Sequence, residues 1–244
     1  MKLNALNNFF FIAFPYMALI VFLIGTIYRY KTTGFKFSSL SSQFLESRGL
    51  FWGVIPFHFG LIVVFLGHLL AFCFPKGQLL WNSLPIRLII LEVTAFTFGI
   101  NIFIGLAALI VRRFTNPRIR AVTNIMDTVI EFLLLAQVIL GCWIALGYRW
   151  GSSWFAADMS PYLWSIIKLN PKVEAMSAMP WIIKLHVIGA FLIILLIPFT
   201  RLIHFLVAPI PYIWRPYQQV MWYWNRKKIR FADAQWVHHK PRNN

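Results

Sequence analysis

The sequence predicts an all-α, polytopic membrane protein, and three observations carry that prediction. Of the 244 residues, 59% are hydrophobic and only 12% are charged, about half the charged fraction of an average soluble domain. Five apolar segments follow one another, each long enough to cross about 30 Å of hydrocarbon as a helix. The breaks between them carry proline, glycine and charge. A single bundle of five transmembrane helices accounts for all three observations.

The predicted transmembrane segments are residues 8–28, 50–74, 86–111, 125–146 and 181–207. The first is too long for the apolar core of a signal peptide and has no small-residue cleavage site, so we expect a retained helix. The fourth connection, about 148–180, is rich in tryptophan, which favours a short interfacial helix along the outer membrane face. Residues 1–210 are expected to form one membrane domain. Residues 211–244 form a basic, aromatic tail that suits the cytoplasmic lipid surface or a docked partner.

The net charge of +16 is compatible with nucleic-acid binding, but the positions of the basic residues argue against that function. Lysines and arginines fall in short runs between apolar segments, which is how membrane topology is encoded. Sixteen of the 23 lie in the first and third connections and from Arg201 onward, and seven lie on the opposite side. The positive-inside rule therefore predicts a periplasmic N-terminus and a cytoplasmic C-terminus. An odd number of spans likewise places the two termini on opposite sides of the membrane.

The two cysteines exclude two kinds of redox centre. Cys73 and Cys142 lie inside apolar segments, where we expect them to be small buried hydrophobic residues. The sequence has no Cys-x-x-Cys-His motif, which excludes covalent attachment of a c-type haem, and no cysteine cluster for an iron–sulfur centre.

Four of the six histidines lie inside apolar segments, two in the second and two in the fifth. An ionisable side chain is costly in hydrocarbon, so each of the four marks a candidate functional site. The two helices run in opposite directions, which puts His68 and His186 toward the outside and His58 and His204 toward the cytoplasm. The first two histidines along the chain are ten residues apart, about 15 Å along a helix. The other two are eighteen apart, about 27 Å, on nearly the same helix face. A tilt, or a bend at Pro198, is needed to bring both pairs to matching depths.

Paired imidazoles on opposed helices are the axial ligands that a six-coordinate haem iron requires. Two such pairs predict two non-covalent b-type haems and an electron path across the membrane. Gly60, Gly67 and Gly189 either let a flat ring approach the helices or serve ordinary helix packing. The pattern alone leaves three other interpretations open: interhelical hydrogen bonding, a proton relay and a metal-ion site.

Charged residues near the helix ends complete the set of candidates. Asp127 is interpreted as an end-of-helix charge or cap, while Glu92 and Glu131 are candidates for ion pairing or proton transfer. His238 and His239 lie in the polar tail, where we expect solvated surface residues. Three arginines lie at helix ends, where they meet haem propionates or lipid phosphates, or snorkel to the interface: Arg87, Arg112 and Arg113.

Five collinear blocks carry a resemblance to a known family: FPYMALIVFLIGTIYRY, SSQFLESRG, HFGLIVVFLGH, RRFTNPRIRA and LHVIGAFLIILLIPFTRLIH. They resemble the gamma subunit of membrane-bound respiratory nitrate reductase, a dihaem cytochrome b that anchors the catalytic dimer. The likeness extends to about residue 220 and includes all four histidines of the apolar segments. The tail beyond that point is longer than the family's.

The resemblance implies that His68 and His186 bind an outer haem and that His58 and His204 bind an inner one. It implies oxidation of a membrane quinol near the outer haem, with protons released outside. Electrons then pass inward to an iron–sulfur (beta) subunit and a molybdenum (alpha) subunit that reduces nitrate. Arg87 takes the place of a basic residue near the quinol site. The chain would act as an oxidoreductase only within this complex, in the bacterial inner membrane, in nitrate respiration or assimilation.

Two further functions remain open at this point. In the first, the chain is a dihaem cytochrome b of the same type that serves another quinone-linked complex, of the sulfur or heterodisulfide kind. This function differs from the nitrate reductase function only in the partner enzyme. A haem-free membrane anchor or proton-conducting module would use the histidines as relay groups.

Overall fold

The computed structural model describes residues 2–32, 42 and 45–207, with side chains from Ala5 onward. Every regular element in this part is a helix, and five helices are long and apolar enough to cross a membrane. We number them span 1 (Ala5–Thr32), span 2 (Arg48–Cys73), span 3 (Pro85–Thr115), span 4 (Ile125–Gly147) and span 5 (Trp181–Phe199). The predicted all-α architecture of five transmembrane helices is therefore confirmed. The predicted tail, 211–244, with His238 and His239, lies outside the described residues.

The starts of the helices follow from proline and asparagine in the sequence. Span 3 begins at Pro85, whose fixed φ and missing N–H suit the first helical position. A short helix, Pro117–Ala121, begins in the same way. Asn124 and Asp127 form a reciprocal capping box at the start of span 4. Asp127 is thus the helix cap that its position predicted. The other short helices are Pro75–Asn82, Gly151–Trp154, Phe155–Met159, Ser160–Ile167, Glu174–Ala178 and Arg201–Val207.

The spans pack in the order 2, 3, 4, 5, 1, and the contact between spans 2 and 3 is the most extensive. A Cβ added at Gly105 of span 3 would lie 2.5 Å from the Phe57 backbone nitrogen and 2.7 Å from the Gly53 carbonyl oxygen. The backbones of spans 2 and 3 come into direct contact here because neither Gly53 nor Gly105 has a side chain. Phe57, Ile102 and Leu106 form a buried cluster beside this contact.

Ion pairs bring the ends of several spans together at one edge of the bundle. Arg112, near the end of span 3, pairs with Glu46, just before span 2. Arg113 and Arg201, from the ends of spans 3 and 5, both pair with Asp127 at the start of span 4. Consecutive spans from 2 to 5 therefore run antiparallel. We call this edge the basic end and define it by its arginines: Arg29, Arg112, Arg113 and Arg201.

Span 5 is not the single helix predicted over 181–207. Its α-helix ends at Leu196, a 3₁₀ turn follows over Ile197–Phe199, and a second 3₁₀ helix, Arg201–Val207, carries His204. Pro198 has no N–H and its ring collides with the carbonyl of the preceding turn, which ends an α-helix. The bend expected at Pro198 is confirmed as a complete break. The assumption that one regular helix presents both histidines on the same face was wrong.

The fourth connection holds some of the best-buried side chains of the described chain. Ser160 and Tyr162 are 0% and 1% exposed. The Tyr162 hydroxyl donates to the Phe11 carbonyl of span 1 at 2.9 Å, and the Ser160 hydroxyl donates to the Ala71 carbonyl of span 2 at 3.0 Å. The helix expected in this connection is present, but it bridges spans 1 and 2 with buried residues, which the sequence did not predict.

We expect Gly105→Ala to lower the thermal unfolding midpoint of the detergent-solubilised chain. The added methyl meets backbone atoms, which cannot rotate away, and overpacking of this kind costs about 1–3 kcal/mol. Gly77→Ala is the control, because its added Cβ meets only the Phe74 Cβ at 3.8 Å, an ordinary van der Waals contact, and alanine favours a helix. Equal midpoints for the two variants would contradict the close contact of spans 2 and 3.

Candidate functional site

His58 and His204 face each other at the basic end. Their ring centres are 6.1 Å apart and the ring planes are inclined by 60°. Both side chains are half-buried. The structure thus brings together one histidine from the second apolar segment and one from the fifth, as the topology predicted.

Hydrogen bonds identify the free ring nitrogen of three histidines. Nδ1 of His58 and Nδ1 of His68 lie 3.0 and 2.8 Å from the carbonyl oxygens four residues earlier. Nδ1 of His204 lies 2.7 Å from the Arg201 carbonyl oxygen. A carbonyl oxygen only accepts, so each Nδ1 carries the proton and the lone pair of the neutral ring is on Nε2. Three imidazoles are therefore in the tautomer that binds a metal through Nε2.

His68 of span 2 and His186 of span 5 are the candidates for the second pair, at the other end of the bundle. His68 packs edge-on against Phe155 at 5.3 Å between ring centres. His186 lies against Gly141 of span 4, where an added Cβ would be 3.3 Å from its Cε1. Gln137 donates to the His186 carbonyl at 2.6 Å. Nδ1 of His186 is buried and has no hydrogen-bond partner in the described part of the chain.

The first pair fits the two axial ligands of one haem iron. An imidazole nitrogen bonds a transition metal at about 2 Å, so two imidazoles on opposite faces of one ion hold their ring centres about 6 Å apart. The observed separation of the two ring centres is 6.1 Å, and in both rings Nδ1 is engaged by a backbone carbonyl, which leaves Nε2 for the metal. In the second candidate pair, Nδ1 of His68 is engaged by a backbone carbonyl, which leaves Nε2 for a metal, and Nδ1 of His186 is buried without a partner among the described residues. Among the described residues no group of three or more His, Cys, Asp or Glu is placed to hold a metal ion, whereas two histidines suffice for a haem.

Asp127 is the centre of the ion-pair network at the basic end. It is 3% exposed, and its carboxylate lies 2.9 Å from Nε of Arg201 and 3.6 Å from the guanidinium of Arg113. Arg113 also pairs with Glu131 at 2.7 Å, so Glu131 takes the ion-pairing role expected of it. The predicted contact of Arg113 with a haem propionate stays a prediction, since two carboxylates of the chain itself already hold this arginine.

Arg112 is held in a similar way. Its Nε lies 2.5 Å from a Glu46 carboxylate oxygen, and Nη2 donates to the Glu46 carbonyl at 2.7 Å. The hydrogen bond from Arg112 lowers the pKa of Glu46, and the backbone N–H of Gly49 adds to the effect. A propionate contact at Arg112 also stays a prediction.

At the other end, Arg87 lies over the Trp81 ring, 5.2 Å from its centroid. Glu92 accepts hydrogen bonds from the backbone nitrogen and the hydroxyl of Ser152, at 2.8 and 2.6 Å. Asn82 donates to the same hydroxyl at 3.0 Å. Glu92 therefore holds the start of the helical fourth connection. This helix begins at Gly151, four residues after span 4 ends at Gly147.

The three glycines near the histidines differ in their surroundings. A Cβ at Gly60 would lie 2.7 Å from the Phe98 carbonyl oxygen of span 3, and Gly189 lies against the Gln137 side chain. These two glycines serve helix packing, one of the two roles expected. Gly67, next to His68, has no described atom within 4 Å of an added Cβ.

Several residues that contact the site did not stand out in the sequence. Glu46 and Arg201 lie inside the blocks that resemble the family, but their partners are distant in the chain. Gln137 and Gly141 are one turn apart on a helix of uniform apolar character. One feature of the sequence could have identified Arg201: it precedes His204 by three residues, so the two lie on one helical turn.

Five apolar spans and two pairs of intramembrane imidazoles define a class, the polytopic helical membrane proteins whose histidines suit haem. The family model described as "Nitrate reductase gamma subunit" matches residues 7–223. The chain therefore belongs to the nitrate reductase gamma subunit family, which confirms the resemblance.

Similar proteins cover nearly the same length. The chain is 32% identical to the respiratory nitrate reductase 2 gamma chain of Escherichia coli (strain K12), over 88% of this chain and 96% of that one. It is 30% identical to the respiratory nitrate reductase 1 gamma chain of the same strain, over 88% and 97%. It is 31% identical to the nitrate reductase gamma chain of Bacillus subtilis (strain 168), over 83% and 92%. The two Escherichia coli proteins are named as parts of respiratory nitrate reductases. These names do not support the expected alternative of a role in nitrate assimilation.

We expect Glu46→Gln to destabilise the chain at neutral pH and to lose that effect in acid. The pKa of Glu46 is lowered on folding, so its ion pair contributes fully above the ordinary carboxyl pKa of about 4.3. That contribution disappears as the pH falls through the lowered pKa of the folded chain. Unfolding midpoints of wild type and variant, compared from pH 7 to pH 3, measure the difference.

The exposed Glu174 provides the control variant, Glu174→Gln, for which we expect a small difference in the unfolding midpoint. A Glu46→Gln effect that stays constant down to pH 3 would contradict the role of the ionised carboxylate.

Proposed function

We propose that this chain is the membrane-anchor cytochrome b subunit of a quinol:nitrate oxidoreductase, with one haem between His58 and His204 and another between His68 and His186. One observation carries the proposal: the ring centres of His58 and His204 are 6.1 Å apart, and each ring holds Nδ1 against a backbone carbonyl, which leaves Nε2 for a metal. Membership of the nitrate reductase gamma subunit family supports it. Haem bound in these two places supplies one-electron redox chemistry and a route for electrons through a layer that excludes charge.

The chain's own groups orient the ligands. In His58, His68 and His204 the carbonyl that accepts from Nδ1–H fixes the rotation of the ring and makes Nε2 more basic. Gly141 leaves room for the His186 ring, and Gln137 holds the backbone of the same residue. Phe155 supports the His68 ring from the fourth connection.

We place the basic end in the cytoplasm and the N-terminus outside, because the positive-inside rule favours arginines on the cytoplasmic side. His58 and His204 are then the inner ligands, and His68 and His186 the outer ones. Quinol is oxidised near the outer pair, and its protons are released outside. Arg87 is at that end of span 3, and we propose that its guanidinium donates hydrogen bonds to a quinol oxygen.

Electrons leave at the basic end to an iron–sulfur (beta) subunit and a molybdenum (alpha) subunit where nitrate is reduced. The names of the relatives, each a gamma chain of a nitrate reductase, support partners of this kind. The proposed location is the bacterial cytoplasmic membrane. Residues 1–210 form the membrane domain, and 211–244 are proposed to contact the lipid surface or these partners.

We expect two b-type haems per polypeptide by pyridine-haemochrome quantitation of the purified chain, both reducible by a quinol analogue. His68→Ala and His186→Ala should each remove the outer haem alone and abolish reduction by quinol, because both ligands of that site are needed. His58→Ala and His204→Ala should each remove the inner haem alone. His238→Ala is the control and should keep both.

A folded wild-type preparation without haem would overturn the proposal in favour of a haem-free anchor or a proton relay. Variants of one proposed pair that remove different haems would overturn the pairing. Haem of the expected stoichiometry with a sulfur or heterodisulfide enzyme as the co-purifying partner would keep the cytochrome and change its complex.

A further inference from the structure

His204 differs from the other three intramembrane histidines because it follows a break in its helix. His58 and His68 are oriented by carbonyls of the unbroken span 2, and His186 lies in the unbroken part of span 5. The carbonyl that orients His204 belongs to Arg201, the first residue after the break. The direction of the His204 ring therefore depends on whatever holds the chain at the break.

The break leaves backbone carbonyls without helical partners in an apolar region. Thr200 is extended, with φ −120° and ψ 178°, so the helical hydrogen-bond pattern stops there. Nη1 of Arg29, from the end of span 1, donates to the Pro198 carbonyl at 2.7 Å and to the Thr200 carbonyl at 2.9 Å. A single guanidinium group thus joins both sides of the break.

Gly25 is what allows span 1 to reach the break. A Cβ added at Gly25 would lie 2.9 Å from the Pro198 Cβ, closer than two carbon atoms approach without a bond. Gly25 is four residues before Arg29, so the two lie on the same face of span 1. Span 1 therefore contacts the proline ring with one residue and its carbonyl with the other.

The chain after the break is held from a different direction. Asp127 of span 4 pairs with Nε of Arg201 at 2.9 Å, and Nη2 of Arg201 donates to the Val122 carbonyl at 3.2 Å. Asp127 is 3% exposed, and its own position is fixed by the capping box of span 4. The residue that supplies the acceptor for His204 is thereby anchored through its side chain.

We propose that Arg29 and Asp127 are positioning residues for His204 and set the geometry with which it binds the inner haem. The inference rests on the proposed function, since it concerns the ligand of a haem. Arg29 fixes the bend of the backbone at Pro198, and Asp127 fixes the residue whose carbonyl receives the Nδ1–H of His204. Their substitution changes the orientation and hydrogen bond of the imidazole, both of which tune the iron that it binds.

The test uses the full chain with its co-purified partners and measures each haem separately. Arg29→Gln and Asp127→Asn are the variants. Asparagine keeps the size and the capping oxygen of Asp127 but not its charge. Reduction potentials come from redox titration, and axial-ligand geometry comes from the low-spin electron paramagnetic resonance signal. The haem that His204→Ala removes identifies the inner one.

In both variants we expect the potential and the low-spin signal of the inner haem to shift, with those of the outer haem unchanged. Arg29→Lys keeps one donor group and should restore part of the wild-type signal. Arg118→Gln, which changes an exposed arginine in the short helix after span 3, is the control and should leave both haems as in wild type.

Wild-type signals from both haems in Arg29→Gln and Asp127→Asn would overturn the positioning role while leaving the dihaem proposal intact. Equal shifts, or loss of both haems together, would overturn it in favour of a general role in folding. A wild-type chain without haem would instead refute the proposed function itself.

Discussion

A polar group in the apolar layer of a membrane has to find its partner within the protein, and this constraint explains how spans 2 and 5 are built. Imidazole Nδ1 groups of span 2 donate to the carbonyls of their own helix. That bond satisfies one nitrogen and directs the lone pair of the other, Nε2, away from the helix. At Pro198 the groups that need partners are acceptors. The break leaves backbone carbonyls without helical donors, and Arg29 donates to them.

The two ends of the bundle satisfy the constraint with different chemistry. At the basic end, charged groups pair: Asp127 with Arg201 and Arg113, and Glu46 with Arg112. A buried charge of this kind is tolerated only when it is paired, and removing one partner is costly. The other end relies mainly on neutral groups, where hydroxyl and amide side chains tie the fourth connection to its surroundings. His204 is the proposed ligand whose orientation depends on side chains from other spans, and it lies at the basic end, among these ion pairs.

The sequence predicted the five spans and the approach of His58 to His204, because both depend on local composition and on the direction of each helix. Asp127 was predicted as a cap for the same reason, since an acidic residue near a helix start interacts with nearby N–H groups. The complete break at Pro198 was harder to predict. A proline in a transmembrane helix often causes only a kink, and here Gly25 and Arg29 from another span stabilise the break. The burial of Tyr162 and Ser160 depends likewise on contacts with spans 1 and 2, which no local pattern encodes.

The most direct test of two bis-histidine haem sites is an electron cryo-microscopy map of the full chain, with its co-purifying subunits, in lipid nanodiscs. The expected map has two flat densities, one between His58 and His204 and the other between His68 and His186, each contacted through an imidazole nitrogen. A map with histidine rings at these positions and no density between them would contradict the dihaem account. A density bridging His58 to His186 would contradict the pairing on which the proposed electron path depends.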